Sequence, residues 1–137
     1  MTARAVVDAS VCLGWFFSDE AEPGVLALEE RACASPSLQL LVPPAFWSEV
    51  ANVLSIATRR ERMDSATALE CLDRLNAYGL DEFHVDWATC LALSIDTGIA
   101  AYDVQYLLVA KTYDAVLWTT DRALARAAVA HGVTTEP

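Results

Sequence analysis

Long hydrophobic runs are missing from this sequence. No stretch approaches the roughly 18 apolar residues that a membrane helix needs. The short run Ala5-Val6-Val7 meets a charge at Asp8, which breaks any signal-peptide core. The expected location is therefore the cytoplasm. Histidine is scarce, with only His84 and His131, so a histidine zinc site or a Ser-His-Asp triad is poorly supplied. Cys12, Cys33, Cys71 and Cys90 form no CxxC pair and have no histidine at zinc-ligand spacing. They read as four buried thiols in a reducing compartment. Basic residues are few as well, nine against nineteen acidic ones, for a formal net charge of −10. Such a chain repels phosphate at long range. A nucleic-acid role then needs carboxylates that hold divalent cations, which reverse the local sign. The other use of an acidic face is a basic protein partner.

What is present is apolar sequence, 55% of 137 residues, enough for a core without disulfides or a structural metal. The length suits one domain over 1–137, with no repeat, low-complexity tract or linker. Short β-rich runs alternate with helical patterns, which predicts an α/β fold with a mainly parallel sheet. Ala5-Val6-Val7 is the first strand, and Ser10 can cap a short helix through Val11, Leu13 and Trp15. A helix from about Glu22 to Cys33 stops at Ser35-Pro36-Ser37, and Leu38 to Val42 is a second strand ended by Pro43-Pro44. Helices follow from about Ala45 to Arg60 and from about Ser65 to Tyr78, the latter between Asp64 as N-cap and Gly79. Phe83 to Val85 is a weak strand, and Trp87 to about Asp96 and Asp103 to Tyr113 are helical. Val116-Leu117-Trp118 is a strand, Asp121 to His131 the last helix, and Val133-Thr134-Thr135 a possible edge strand.

Four acidic residues stand in telling places. Asp8 directly follows the first strand, and ligands of open parallel sheets bind beyond the carboxyl ends of strands; the alternative is a turn residue or helix cap. Glu49 falls on the apolar side of its helix with Phe46, Val50, Val53, Ile56 and Ala57. A carboxylate there is costly unless it is paired, hydrogen-bonded or bound to a cation. Arg59 and Arg60 are too far along the helix to pair with it. An arginine from elsewhere, or a stripe-edge position reaching solvent, is the other explanation. Asp103 sits among Tyr106, Leu107, Val109 and Ala110 while Gln105, Lys111 and Thr112 take the opposite side, and an acidic residue in a first helical turn is also favourable in itself. Asp121 opens the last helix after a strand and two threonines, where Thr120 or Asp121 can serve simply as N-cap. In a parallel sheet Asp8 and Asp121 share one edge. Acids converging there repel one another unless a cation sits between them. Oxygen ligands without His or Cys suit Mg²⁺ or Mn²⁺, which can activate water and hold a phosphodiester.

At these residues the chain resembles the PIN-domain family, in particular the VapC-type toxins of bacterial toxin–antitoxin pairs. Val6-Val7-Asp8-Ala9-Ser10-Val11 resembles the family's opening strand and first aspartate, and Ser48-Glu49-Val50-Ala51-Asn52-Val53-Leu54 its glutamate helix. Ala101-Tyr102-Asp103 through Ala110 resembles the third acidic motif, and Leu117-Trp118-Thr119-Thr120-Asp121-Arg122-Ala123-Leu124 the fourth. The motifs occur in family order over nearly the whole chain. The resemblance implies a three-layer α/β/α sandwich and Mg²⁺- or Mn²⁺-dependent endoribonuclease activity on RNA. It also implies a homodimer, and a cognate VapB-type antitoxin whose basic C-terminal segment blocks the site. Asp8, Glu49, Asp103 and Asp121 match the acidic quartet, Ser10 and Thr119 match supporting positions, and the helix pair from Ala45 to Tyr78 matches a clip around the antitoxin. One departure is Ala100, where the family often carries a hydroxyl.

Arg59, Arg60 and Arg62 are the densest basic segment, either an RNA phosphate contact near the site or a solvated helix end. Trp15, Phe16, Phe17, Trp47, Trp87 and Trp118 serve as core or as base-stacking surfaces, and most have core spacing. Asp19, Glu20 and Glu22 read as a solvated turn. Asp96 and Asp114 read as helix-end or loop residues, with Asp96 the nearer of the two to the site's outer shell. Two rival functions remain beside the ribonuclease: a phosphatase or phosphotransferase with Asp8 as nucleophile, and a non-catalytic module whose acidic groove binds a basic partner. The former usually needs a second aspartate two residues on, where this chain has Ser10.

Overall fold

The computed structural model describes residues 3–17 and 21–137, so the expected turn at Asp19 and Glu20 lies outside the described residues. Strand β1 (Arg4–Val7) leads into α1 (Ala9–Phe16) and α2 (Pro23–Ala34), then β2 (Gln39–Val42), α3 (Ala45–Arg59), α4 (Ser65–Ala77) and β3 (Asp81–Glu82). The second half runs α5 (Trp87–Thr97), α6 (Ala101–Tyr113), β4 (Val116–Trp118), α7 (Arg122–Ala130) and β5 (Thr135–Glu136). All five strands are parallel, in the order β3-β2-β1-β4-β5. With helices on both faces this is the expected three-layer α/β/α sandwich. The central strands are buried on both faces, as their unbroken apolar runs require.

Val6 aligns with Leu41 of β2 on one side and Leu117 of β4 on the other. The chain leaves β1 for β2 but returns to the opposite flank as β4, so strand order reverses between β1 and β4. A crevice beyond the strand ends at that reversal is where open α/β sheets bind ligands. Helix α6 contacts β1, β2 and β4. Its residues Val104 through Ala110 are all buried, as befits a helix enclosed on every side.

Several boundaries differ from expectation. Asp8, not Ser10, occupies the N-cap position of α1, and its side chain makes no capping bond. The third strand pairs at Asp81 and Glu82 rather than Phe83 to Val85, because Leu41 and Val42 of β2 align there. The last strand is Thr135 and Glu136, set by pairing with Leu117 and Trp118. Helix α6 starts at Ala101, two residues before Asp103. Gln105, expected on an outer face, is buried, and its Oε1 accepts the Ala45 N–H at 3.2 Å. That bond satisfies an orphan donor at the start of α3, where Pro44 offers no side-chain cap. Cys33 is exposed, unlike the other three thiols. Trp15 and Trp118 are core residues, but Trp87 is 60% exposed and shares a solvent-facing α5 stripe with Leu91 and Ile95. No helix among the described residues is long and apolar enough to cross a membrane.

The close approach of α1 to α2 requires Gly14. A Cβ there would lie 2.7 Å from Val25 Cγ1, a methyl of a stiff, buried side chain. Gly14→Ala gains about 1 kcal/mol of helix propensity but overpacks the core at a cost of about 1–3 kcal/mol. The expected net is destabilisation in urea unfolding, and Gly14→Ala with Val25→Ala should lose less than the sum of the single changes.

Candidate functional site

Two strand-to-helix turns and two helices bring the acidic residues together beyond the sheet's carboxyl edge. Val7 ends β1 level with Trp118 at the end of β4, so Asp8 and Thr119 emerge side by side. The Asp8 N–H donates to the Trp118 carbonyl at 2.9 Å, which continues the ladder one residue past the strands. Asp8 is 6% exposed. Its Oδ2 accepts the Thr119 hydroxyl at 2.6 Å and the Ser10 hydroxyl at 2.8 Å. Those hydroxyls are themselves aimed by backbone donors: Thr119 Oγ1 accepts the Asp121 N–H at 3.0 Å, and Ser10 Oγ accepts the Thr120 N–H at 3.3 Å. Ser10 and Thr119 thus both bridge β1 to the turn after β4, with Asp8 at the centre.

Asp121 is the N-cap of α7. Its Oδ1 accepts the Ala123 and Leu124 N–H groups at 2.9 and 3.1 Å, which fixes the side chain and turns it to the helix start. Asp103 stands in the first turn of α6. Glu49 lies one turn into α3, half-buried, and its Oε2 accepts the Tyr106 hydroxyl at 3.2 Å. Its Oε1 is buried with no hydrogen-bond partner.

The electrostatics tie the four into one group. Burial pushes the Glu49 carboxyl up to about 7 from an ordinary 4.5, the Asp8 charge adds to the rise, the Tyr106 hydroxyl opposes it, and Asp103 raises it further. Burial also raises Asp103, with Asp121 and Asp8 contributing. Asp8 rises by burial, against which the Thr119 and Ser10 hydroxyls hold its charged form, and the Asp121 charge adds to the rise. Asp8, Glu49 and Asp103 therefore each feel at least one neighbouring carboxylate. Among the described residues none of the four is paired with a lysine, arginine or histidine.

Other expected residues lie apart. Arg59 ends α3 and Arg60 caps it, ten and eleven residues beyond Glu49, roughly 15 Å along the helix. The Arg62 guanidinium sits over the Phe17 ring, 5.0 Å from its centroid. Arg60 and Arg62 line a small cleft with Phe17, Val53, Ile56 and Ala57. Asp96 does not reach the acidic group; it faces His131 at 3.8 Å. Tyr106 is the residue that sequence reasoning overlooked. It is wholly buried, three positions after Asp103, and a buried phenol needs an acceptor. On a face read only as apolar, that need was the available signal.

As they stand, no three described His, Cys, Asp or Glu side chains converge closely enough to hold an ion unaided. Mg²⁺ usually keeps several waters and takes one or two carboxylates directly. The hard oxygen donors, the absent counter-cation and the orphaned Glu49 oxygen fit such a water-mediated ion.

The family model described as PIN domain matches residues 5–130. The chain belongs to the PIN-domain family. This PIN domain is similar in fold to PAE2754 from Pyrobaculum aerophilum, with a TM-score of 0.76 and 22% identity over 98% of this chain and 85% of that one. It is also similar to VapBC2 from Rickettsia felis, solved bound to a DNA fragment from their promoter, with a TM-score of 0.66 and 13% identity over 97% of each chain. A third similar structure is a toxin–antitoxin complex from Klebsiella pneumoniae, with a TM-score of 0.56 and 16% identity over 85% of this chain and 86% of that one. No curated protein sequence matches the chain.

The raised Glu49 value makes metal-free stability depend on pH. The folded state binds the Glu49 proton more tightly than the unfolded state, so this contribution is present below pH 4.5 and lost as pH rises to about 7. Glu49→Gln removes the charge that must otherwise be carried above pH 7. In EDTA its stability relative to the parent should rise by about 1 kcal/mol between pH 5 and pH 8, a figure reduced for solvent screening. Parallel curves from urea titrations at the two pH values would contradict this.

Proposed function

We propose that this PIN domain is a Mg²⁺- or Mn²⁺-dependent endoribonuclease and the toxin of a VapBC-type toxin–antitoxin pair. The observation that carries the reading is the gathering of Asp8, Glu49, Asp103 and Asp121 at the strand-order reversal, with no cationic side chain among the described residues paired to any of them. Carboxyl groups gathered in such a place call for a cation from outside the chain before all of them can carry charge together. In this reading Asp8, Asp103, Asp121 and Glu49 hold the ion directly or through water, and the whole chain works as one domain.

A bound divalent ion supplies Lewis-acid polarisation of the phosphodiester and lowers the pKa of a neighbouring water. The protein's own groups do the positioning. Ser10 and Thr119 keep Asp8 charged and fixed. Asp121 is held by its two capping bonds, with its Oδ2 making no hydrogen bond among the described residues. Glu49, with one oxygen engaged and the other unpartnered, accepts the proton of the attacking water. The water oxygen bonds to phosphorus, one P–O ester bond breaks, and the departing oxygen is protonated.

The acidic group also suits a basic segment of a VapB-type antitoxin, with a homodimer as the assembled form. The similarity in fold to a toxin–antitoxin complex supports this. A second reading, a non-catalytic module that binds a basic peptide, draws on the net charge of −10 and the lack of preformed three-ligand geometry.

Cleavage of total cellular RNA with Mg²⁺ or Mn²⁺ separates the two. Asp8→Asn should lower cleavage by more than about 100-fold with an unchanged melting profile; full activity in that variant refutes the assignment. Replacing Arg59, Arg60 and Arg62 together by glutamine should weaken RNA binding and flatten its salt dependence, by a slope of about 1 for each phosphate no longer neutralised. An unchanged salt slope would show that these arginines do not meet RNA.

A further inference from the structure

We propose that Tyr106 is the positioning residue of the acidic site, acting through Glu49. The inference rests on the site reading above but not on what the site cuts. Tyr106 is wholly buried, and its hydroxyl donates to Glu49 Oε2 at 3.2 Å. The backbone of Ala9, the residue that follows Asp8, also acts on that hydroxyl electrostatically. Tyr106 lies on α6 one turn after Asp103. One oxygen atom therefore ties α3, which carries Glu49, to the helix that carries Asp103.

The consequence falls on Glu49. A glutamate side chain has three rotatable bonds and loses much rotamer freedom when fixed. Tyr106 takes Oε2, and Oε1 is left buried and without a partner. An unsatisfied buried oxygen is costly and is kept where something binds it. The bond to Tyr106 thus selects which oxygen of Glu49 is offered to the site. The neighbouring Gln105 seats the same helix by accepting the Ala45 N–H, so α6 holds α3 at its first residue and again one turn later. Tyr106 touches neither substrate nor ion in this scheme.

The test is a double-mutant cycle on the full chain, with Mn²⁺ alone as probe, read by isothermal titration, and RNA cleavage as a second readout. Tyr106→Phe keeps every ring atom and removes one oxygen. It should weaken Mn²⁺ binding and lower kcat by about 10-fold, with KM and melting temperature little changed. In a Glu49→Ala background the same substitution should alter either readout by less than about twofold, because the group it acts through is gone. Tyr106→His, which keeps a ring N–H donor, should recover part of the Mn²⁺ affinity lost in Tyr106→Phe, and serves in its place if the phenylalanine chain does not fold.

Additive losses in the doubly substituted chain would overturn the assignment, as would a histidine variant no better than phenylalanine. A chain that shows the coupling in Mn²⁺ binding but cuts no RNA refutes the ribonuclease reading and upholds Tyr106. A parent chain that binds no Mn²⁺ overturns both.

Discussion

Like charges brought together out of water must be compensated, and this molecule is organised around that requirement. Burial and neighbouring carboxylates raise the proton affinity of Asp8, Glu49 and Asp103, and no basic side chain among the described residues answers them. The compensation that is visible is neutral. Hydroxyls of Ser10 and Thr119 stabilise the Asp8 charge, the amides at the start of α7 stabilise Asp121, and a phenol stabilises Glu49. Dipoles of this kind fix carboxylates without cancelling them. The site therefore stays negative while its geometry is set, which is the state a divalent ion or a basic peptide meets.

Helix α6 is the reason the arrangement holds. It runs against β1, β2 and β4 and is buried through seven consecutive residues, so its position is determined by the core rather than by the site. Asp103, Gln105 and Tyr106 then project from a rigid element, and each does a different job within two turns. The acidic residues themselves sit where the chain must turn: after β1, after β4 and at the beginnings of helices. The sheet contributes the convergence, because parallel strands deliver their carboxyl ends to one side.

Much of this is legible in the residues. Asp8 and Asp121 can be placed on one edge because apolar runs precede each of them, and such runs mark buried parallel strands. Glu49 stands out because a carboxylate breaks an apolar stripe. What cannot be read is anything fixed by pairing or packing between distant segments. Two-residue strands such as Asp81–Glu82 carry no periodicity, and only the alignment with Leu41 and Val42 defines them. Gln105 and Tyr106 follow the same rule: their partners are 60 and 57 residues away, and nothing local distinguishes a buried polar group with a distant partner from a surface one. Ser10 illustrates the opposite case. Its expected role as a cap gives way to two other bonds: it donates to Asp8 two residues back and accepts the Thr120 N–H from 110 residues away. Cys33 and Trp87 are more exposed than their residue types suggest, because type predicts average burial and not the burial of one site.

The final strand has a place in the site's mechanics. The Thr119 N–H donates to the Glu136 carbonyl at 2.8 Å, and the Thr119 hydroxyl holds Asp8. Glu136 is in turn clasped by Arg31 of α2 through both carboxylate oxygens, at 2.9 and 2.8 Å. Two hydrogen bonds thus separate an exposed ion pair from the most buried acid of the cluster. A surface clasp and a buried carboxylate thus lie at the two ends of one short relay, which runs through β5 and Thr119.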